Sequence, residues 1–318
     1  MLEALCNMIA VSGYEKQLIN FLYQKLETLD YGKIHIDSVG NLVFFIKGED
    51  SKKKILARAH VDEVGFQIIA EISKGQYSLK SLGNIKTWNA HQQRVIFDNG
   101  LKGVIYAKDP LHMKPYNYDN LVLEINDSYA LDKVSPGDVF TFDIPLQETE
   151  EFFIGKALDN RASCFCLWDI ISKCKSLKND TYFCFSVMEE TNMRGARVLN
   201  TSIQPDICIT IDASCVGDRN SLKLSNGVGI KISDSMGLSS PACVGRAIEI
   251  ASNNGIIFQM EVSDCGTSEL VISNEVDNGY EELGISIPCS HIHSANSIMH
   301  KDDIAECRRY LSYLISEI

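Results

Sequence analysis

The sequence predicts an α/β fold interrupted by a small all-β module, and three observations carry that expectation. From Phe152 onward, apolar runs of strand character alternate with stretches of helical period. Over about Glu71 to Glu151 the helical period disappears, and short strands alternate with turn signals. Residues 1–65 read as helix followed by strands. The simplest arrangement is one α/β domain made of residues 1–70 and 152–318, with a β module of residues 71–151 inserted between its halves.

Ser12-Gly13-Tyr14-Glu15 has the form of a capping box, in which Ser12 and Glu15 satisfy backbone donors at a helix start. Leu18, Phe21, Leu22 and Leu26 then recur at helical spacing. IHIDSVGNLVFFIKG reads as two strands about a Gly/Asn turn. KKILARAHVDEVGFQIIAE reads as a largely buried strand, an interruption at His60-Val61-Asp62-Glu63, and a second strand. Turn signals in the β module are Asp98-Asn99-Gly100, Asn126-Asp127 and Ser135-Pro136-Gly137-Asp138. Beyond it, LDNRASCFCLWDIISKC suits a helix, TYFCFSVM a buried strand, ICITID and GVGIKIS strands, and PACVGRAIEIASNN a helix. The last stretch, KDDIAECRRYLSYLISEI, suits an amphipathic helix.

Composition narrows the function classes. The chain has 318 residues, 45% hydrophobic and 23% charged, with 30 Lys plus Arg against 42 Asp plus Glu, a net charge of −12. An acidic chain without a Lys/Arg-rich run is poorly suited to nucleic acid or to an anionic membrane. No stretch approaches the roughly 18 consecutive apolar residues of a membrane span. MLEALCNMIAVSGYE has Glu3 and no basic n-region, so it does not read as a signal peptide. The 11 cysteines are odd in number and scattered, which suits reduced thiols and a cytoplasmic setting.

Four segments concentrate metal-capable side chains near predicted strand ends. In the first, His60 and Asp62 are spaced to share a side of extended backbone, so the carboxylate can approach the imidazole and orient it towards a metal. The second, Gly155 to Arg161, offers Asp159, with two oxygens able to bridge two cations. The third pairs Glu189 with Glu190, one to bind metal and the other to move protons. The fourth ends an apolar strand at Asp212. His291-Ile292-His293 before the final helix adds a further candidate. Each also has an ordinary structural reading: a solvated strand end, a helix N-cap at Asp159, a solvated loop, a chain turn and surface histidines. Together they are more specific, because open α/β sheets place ligand sites beyond the carboxyl ends of their strands. Mixed His and carboxylate donors without thiolate suit Zn²⁺, Co²⁺ or Mn²⁺, and a shared Asp suits a two-metal hydrolase.

The segments AHVDEVGF, GKALDNR, MEE-x-x-x-RGA, ITIDAS-x-x-GD and IHS, in that order, resemble those of the tetrahedral, or TET-type, di-metal aminopeptidases of metallopeptidase family forty-two. That family includes glutamyl, leucyl and lysyl aminopeptidases, and the resemblance covers nearly the whole chain. It implies a three-layer α/β/α catalytic domain in which residues 71–151 form a PDZ-like β-barrel dimerisation domain. It further implies that His60 and Asp212 bind one metal, Glu190 and His293 the other, and Asp159 bridges both. Asp62 would orient His60, and Glu189 would act as general base and then acid. The implied reaction is removal of N-terminal residues from peptides through a metal-bridging hydroxide. Two divalent ions are expected, zinc or cobalt first and manganese next, in a homo-oligomer built from dimers up to a dodecamer. Peptides with a free N-terminus are the expected partners, without nucleic acid or membrane. The same centre suits other two-metal amide hydrolases, namely carboxypeptidases, dipeptidases and deacylases, and a non-catalytic paralogue is a reading of another class.

The chain departs from the family pattern at three places. Cys265-Gly266-Thr267-Ser268-Glu269 stands where the family often has Gly-Thr-Asp-Ala. His291 stands where an aromatic residue is common, and reads as a substrate contact or a partly exposed surface residue. Ser214-Cys215 stands where a His is frequent nearby. Cys164 and Cys166 in the helix after Asp159 face apart and read as core thiols. Arg194 and Arg197 read as helix-surface charges, with support of the Glu pair a second reading for Arg194.

Overall fold

The computed structural model describes residues 1–126, 133–217, 219–275 and 279–318, with 273–275 as backbone only. Asp127 of the expected Asn126-Asp127 turn and Asp218 of the fourth motif lie outside the described residues. In chain order the strands are β1 (Lys33–Ile36), β2 (Leu42–Ile46), β3 (Lys54–His60), β4 (Gly65–Ser73), β5 (Gln76–Leu82), β6 (Arg94–Phe97), β7 (Lys102–Ala107), β8 (Leu121–Glu124), β9 (Val139–Phe142), β10 (Gln147–Glu148), β11 (Phe152–Gly155), β12 (Asp180–Ser186), β13 (Ile207–Cys215), β14 (Val228–Ser233), β15 (Phe258–Val262), β16 (Glu281–Cys289) and β17 (Ser297–His300). The helices are α1 (Leu2–Asn7), α2 (Lys16–Leu26), α3 (Thr87–Ala90), α4 (Leu158–Lys173), α5 (Arg194–Ile203), α6 (Pro241–Asn253) and α7 (Lys301–Glu317).

An 8-stranded mixed sheet runs β1-β2-β12-β3-β13-β16-β14-β15. Its centre, β12-β3-β13-β16, is parallel throughout, so those strands end on one edge. Strand β3 shows how the sequence makes this layer, since every residue from Ile55 to His60 is buried. Ile55, Ala57 and Ala59 join the core formed with α4, α6 and α7. Leu56 packs on the other face with Leu199 and Ile203 of α5. By strand alternation Arg58 and His60 share the α5 face. Helices on both faces give the expected α/β architecture, and each fully buried Leu, Ile or Phe adds about 1.5–3 kcal/mol of hydrophobic stabilisation. In α7, Ile304, Cys307, Leu311, Leu314 and Ile315 are buried at helical spacing. Among the described residues no helix is long and apolar enough to cross a membrane.

The inserted module is a closed barrel of order β4-β5-β8-β7-β6-β9. Phe66, Ile68, Leu79, Val95, Phe140 and Phe142 fill it, with the Phe66 and Phe140 rings stacked at 5.5 Å. The stretch KKILARAHVDEVGFQIIAE therefore divides between two bodies, β3 in the large sheet and β4 in the barrel. Gly65 stands at the crossing because a Cβ there would lie 2.8 Å from the Phe140 carbonyl oxygen and 2.7 Å from Val11.

The expected capping box is not formed. Helix α2 begins at Lys16 with no side-chain cap. The Ser12 hydroxyl pairs with the Thr191 hydroxyl at 2.7 Å. Glu15 accepts from the Gly13 N–H at 2.7 Å and from the Met188 N–H at 2.9 Å. Both side chains are buried against the loop after β12, where the Thr191 hydroxyl takes Ser12 and the Met188 N–H takes Glu15 in place of the helix start.

Candidate metal centre

Five segments converge where the parallel strands end. His60 closes β3, Glu189 and Glu190 follow β12, and His293 follows β16. Asp159 follows β11 in the first turn of α4, with non-helical backbone at Asp159 and Asn160. Asp212 corrects one detail of the sequence reading: it projects from within β13, which continues to Cys215, because the paired strand β16 runs equally far.

The side chains form two adjoining groups that share one carboxylate. His60 Nε2 lies 3.3 Å from Asp159 Oδ1 and 3.4 Å from Asp212 Oδ1. His293 Nε2 lies 3.2 Å from Asp159 Oδ2 and 3.2 Å from Glu190 Oε1. Within each trio the donor atoms all lie within 4.8 Å of one another, close enough to hold one metal ion. Glu189 belongs to neither trio, and its Oε2 is 3.9 Å from His60 Nε2. Imidazole and carboxylate donors without thiolate fit a divalent cation such as zinc, cobalt or manganese. The Cys164 thiol donates instead to the His60 carbonyl at 3.0 Å.

A second layer aims the imidazoles. Asp62 Oδ1 is 3.4 Å from His60 Nδ1, leaving Nε2 directed at the trio. The same carboxylate accepts the N–H groups of Glu189 and Glu190, each at 3.0 Å. His293 Nδ1 meets the Asn84 carbonyl at 3.1 Å, and the Asn89 amide donates to the His293 carbonyl at 3.3 Å. Both asparagines lie between β5 and β6, so the barrel reaches the centre. Sequence reading missed this contact because Asn84 acts through its backbone, which no side-chain pattern reveals. It also missed a clamp formed by Glu63, Lys156 and Arg161, although all three lie inside the quoted motifs. Lys156 Nζ sits 2.8 Å from both Glu63 oxygens. Arg161 donates to the carbonyls of Leu5, Met8 and Val61, which ties the first residues to the segments bearing Asp62 and Asp159.

Burial opposes charge throughout this cluster. The surrounding carboxylates, Glu189 and Glu190 first, nevertheless hold His60 and His293 well above the ordinary imidazole range. Burial pushes Glu189 well up, and raises Glu190 and Asp212 too. Asp159 moves down despite burial, because both imidazoles donate to it. Crowded buried carboxylates of this kind are suited to a positive partner.

Other readings settle locally. Cys164 and Cys166 are buried free thiols of the α4 core. His291 is exposed, which fits the surface reading, and Arg194 is exposed at the first position of α5. A groove of about 510 Å³ between α4 and α7 includes none of the clustered residues.

A mixed α/β sheet with His and carboxylate donors that could hold a metal at its strand ends, and a closed barrel inserted between His60 and Asp159, suits a hydrolase. The family model described as M42 glutamyl aminopeptidase matches residues 40–310. The chain belongs to that family, of TET type, and is an aminopeptidase, a hydrolase of the exopeptidase class. It is 31% identical over 316 residues to a protein of Acetivibrio thermocellus provisionally named an aminopeptidase, covering 96% of this chain and 94% of that one. It is 24% identical to the glutamyl aminopeptidase of Lactococcus lactis, over 99% of this chain and 95% of that protein. In fold it is similar to the TET1 peptidase of Pyrococcus horikoshii, which can assemble into a tetrahedron or a large octahedral shell, with a TM-score of 0.89, 24% identity, and 100% and 98% of the two chains covered.

Proposed function

We propose that this aminopeptidase removes N-terminal residues from peptides at a centre in which His60, Asp159 and Asp212 hold one divalent cation and Asp159, Glu190 and His293 a second. The two trios that share Asp159 carry this reading. Zinc or cobalt suits the donors first, and manganese next. Cations held there would supply Lewis acidity, lowering the pKa of water and polarising a peptide carbonyl.

The chain's own residues do the rest. Glu189, outside both trios and beside His60, accepts the proton of the attacking water as it adds to the carbonyl. The same carboxyl group returns that proton to the leaving nitrogen as the C–N bond breaks. Asp62 orients the His60 ring and, through two backbone N–H groups, holds the Glu189–Glu190 pair in place. A free substrate amine is attracted to the carboxylate-rich pocket, which supports exopeptidase action. The eleven free cysteines favour a reducing, cytoplasmic setting. Likeness to the Pyrococcus horikoshii peptidase, which can assemble into a tetrahedron or a large octahedral shell, and to PhTET1-12s, solved as a dodecamer, supports a homo-oligomer. Assembly from dimers through the barrel is part of the same proposal.

The test is hydrolysis by metal-stripped protein with Zn²⁺, Co²⁺ or Mn²⁺ restored in turn, on free-amine and N-acetylated amides of Glu, Leu and Lys. Cleavage is expected only with metal and a free amine. Glu189→Gln is expected to lower kcat by about 10²–10⁴-fold with unchanged metal content. A fully active Glu189→Gln enzyme would remove Glu189 as base. Equal cleavage of acetylated amides would sink recognition of the amine.

A further inference from the structure

Two thiols stand apart from the catalytic cluster and close to each other. Eight of the eleven cysteines are buried, while Cys174, Cys215 and Cys265 are partly exposed. Cys215 is the last residue of β13, and Cys265 opens the segment that departs from the family pattern after β15. Their sulfurs lie 2.8 Å apart across 50 residues of sequence. A disulfide bond is about 2.05 Å, so little movement separates this contact from a bond.

The backbone on both sides is already held in place. Asn220 and Ser263 form an isolated bridge, and the Asp264 N–H donates to the Arg219 carbonyl at 3.2 Å. The Ser263 hydroxyl donates to the Cys265 carbonyl at 2.8 Å and accepts from the Cys265 N–H at 3.2 Å. The Val216 N–H donates to the Cys289 carbonyl at 3.0 Å, fixing the strand end. Burial, then the neighbouring thiol, pushes Cys215 up to about 12. Burial disfavours the Cys215 thiolate, so Cys265 is the sulfur that reacts first in an oxidation of the pair.

We propose that Cys215 and Cys265 form a reversible dithiol–disulfide couple, closed by a peroxide and reopened by a small thiol. The Cys265 thiolate attacks one oxygen of hydrogen peroxide, breaks the O–O bond and releases hydroxide, leaving a sulfenic acid. The Cys215 sulfur, losing its proton, attacks the Cys265 sulfur, forms the S–S bond and expels hydroxide. With the two thiol protons, both hydroxides become water, so two thiols and one peroxide give one disulfide and two waters. Two equivalents of a small thiol reverse the change through a mixed disulfide. Closure joins the end of β13, three residues beyond Asp212, to the segment leading to Ser268 and Glu269. Ser268 donates through its hydroxyl to Asp234 at 2.7 Å, and Glu269 pairs with Arg58 at 3.2 Å. The bond therefore restrains residues 263–268 from both sides.

The test uses the whole protein, exposed in its native state to one equivalent of hydrogen peroxide, then alkylated and digested without reductant for tandem mass spectrometry. The expected product is a Cys215–Cys265 linked peptide, two hydrogens lighter than the reduced pair, lost with dithiothreitol. Hydrogen exchange at residues 263–268 is expected to slow at least several-fold on oxidation and to recover on reduction. Cys215→Ser and Cys265→Ser should each abolish both effects, and Cys174→Ser should abolish neither. Oxidation of Cys265 to a lone sulfinic acid, or linkage elsewhere, in a natively folded sample would overturn the couple. Unchanged exchange alongside a linked peptide would overturn the restraint.

Discussion

Asp62 does three things with two oxygens, contacting His60 Nδ1 and accepting the backbone N–H groups of Glu189 and Glu190. An Asn at this position keeps the size but can accept through one atom only, and its amide cannot accept from Glu190 or Glu189 at the other. Asp62→Asn is therefore expected to weaken metal affinity by about 10–100-fold and to lower kcat, with fold and melting temperature nearly retained. Metal titration followed by competition with a chelator measures the first effect, and unchanged affinity would refute the orienting role. At this scale the sequence was informative where chemistry resides in side chains. His60, Asp159, Glu190, Asp212 and His293 were all visible as carboxylates and imidazoles in short motifs, and the structure gathers them. Asn84 was not visible, because a carbonyl oxygen is common to every residue type. Ser12 and Glu15 were misread because their local pattern matched a helix start, while distant donors at Thr191 and Met188 claimed the side chains.

Secondary elements were legible where one period dominated. The buried runs of β12 and β13 and the amphipathic face of α7 stood out, since burial on two faces and on one stripe leaves different patterns. Strand β16 was overlooked although it pairs along nine residues of β13, because Gly284 and Pro288 within it resemble turn punctuation. Gly284 is required there, as a Cβ would lie 2.8 Å from the Lys231 side chain. Strands β3, β13 and β16 are also joined by a buried polar network. Arg58 donates to Thr210 at 3.0 Å and to Asn200 at 2.7 Å, and pairs with Glu282 at 3.4 Å. Burial raises Glu282 from 4.5 to about 7, against the opposing pull of Arg58. Its folded pKa thus exceeds its unfolded one, so its stability contribution is full below about 4.5 and is lost as pH rises through about 7. Relative to Glu282→Gln, the unchanged protein is expected to lose several degrees of melting temperature between pH 5 and 8. Parallel pH profiles for the two proteins would remove Glu282 as the titrating group.

Across the whole molecule, the inserted barrel reaches the candidate metal centre through Asn84 and Asn89. It also carries exposed apolar side chains at Ile69, Ile72, Trp88, Tyr106 and Tyr116, with Leu111 at 87% exposure, which suit association between copies of the chain. Ile69→Asp combined with Leu111→Asp is expected to reduce the sedimenting mass to a smaller species while retaining bound metal. An unchanged sedimentation profile would place the association on another face. The barrel itself was readable from its turn signals and short strands, but its contact with His293 was not, since the two are 209 residues apart in sequence.

That separation has a consequence for how the molecule is made. The barrel closes from contiguous residues and can form soon after they leave the ribosome. The catalytic centre cannot. The carbonyls of Leu5 and Met8 wait for Arg161, synthesised 156 and 153 residues later, and His60 waits for Asp212. His293, the last of the clustered donors in chain order, is the last to arrive. The Asp159–Glu190–His293 group proposed to hold a cation therefore cannot be complete before residue 293 is made, and a nascent chain halted short of it carries a finished barrel beside a cluster lacking one imidazole.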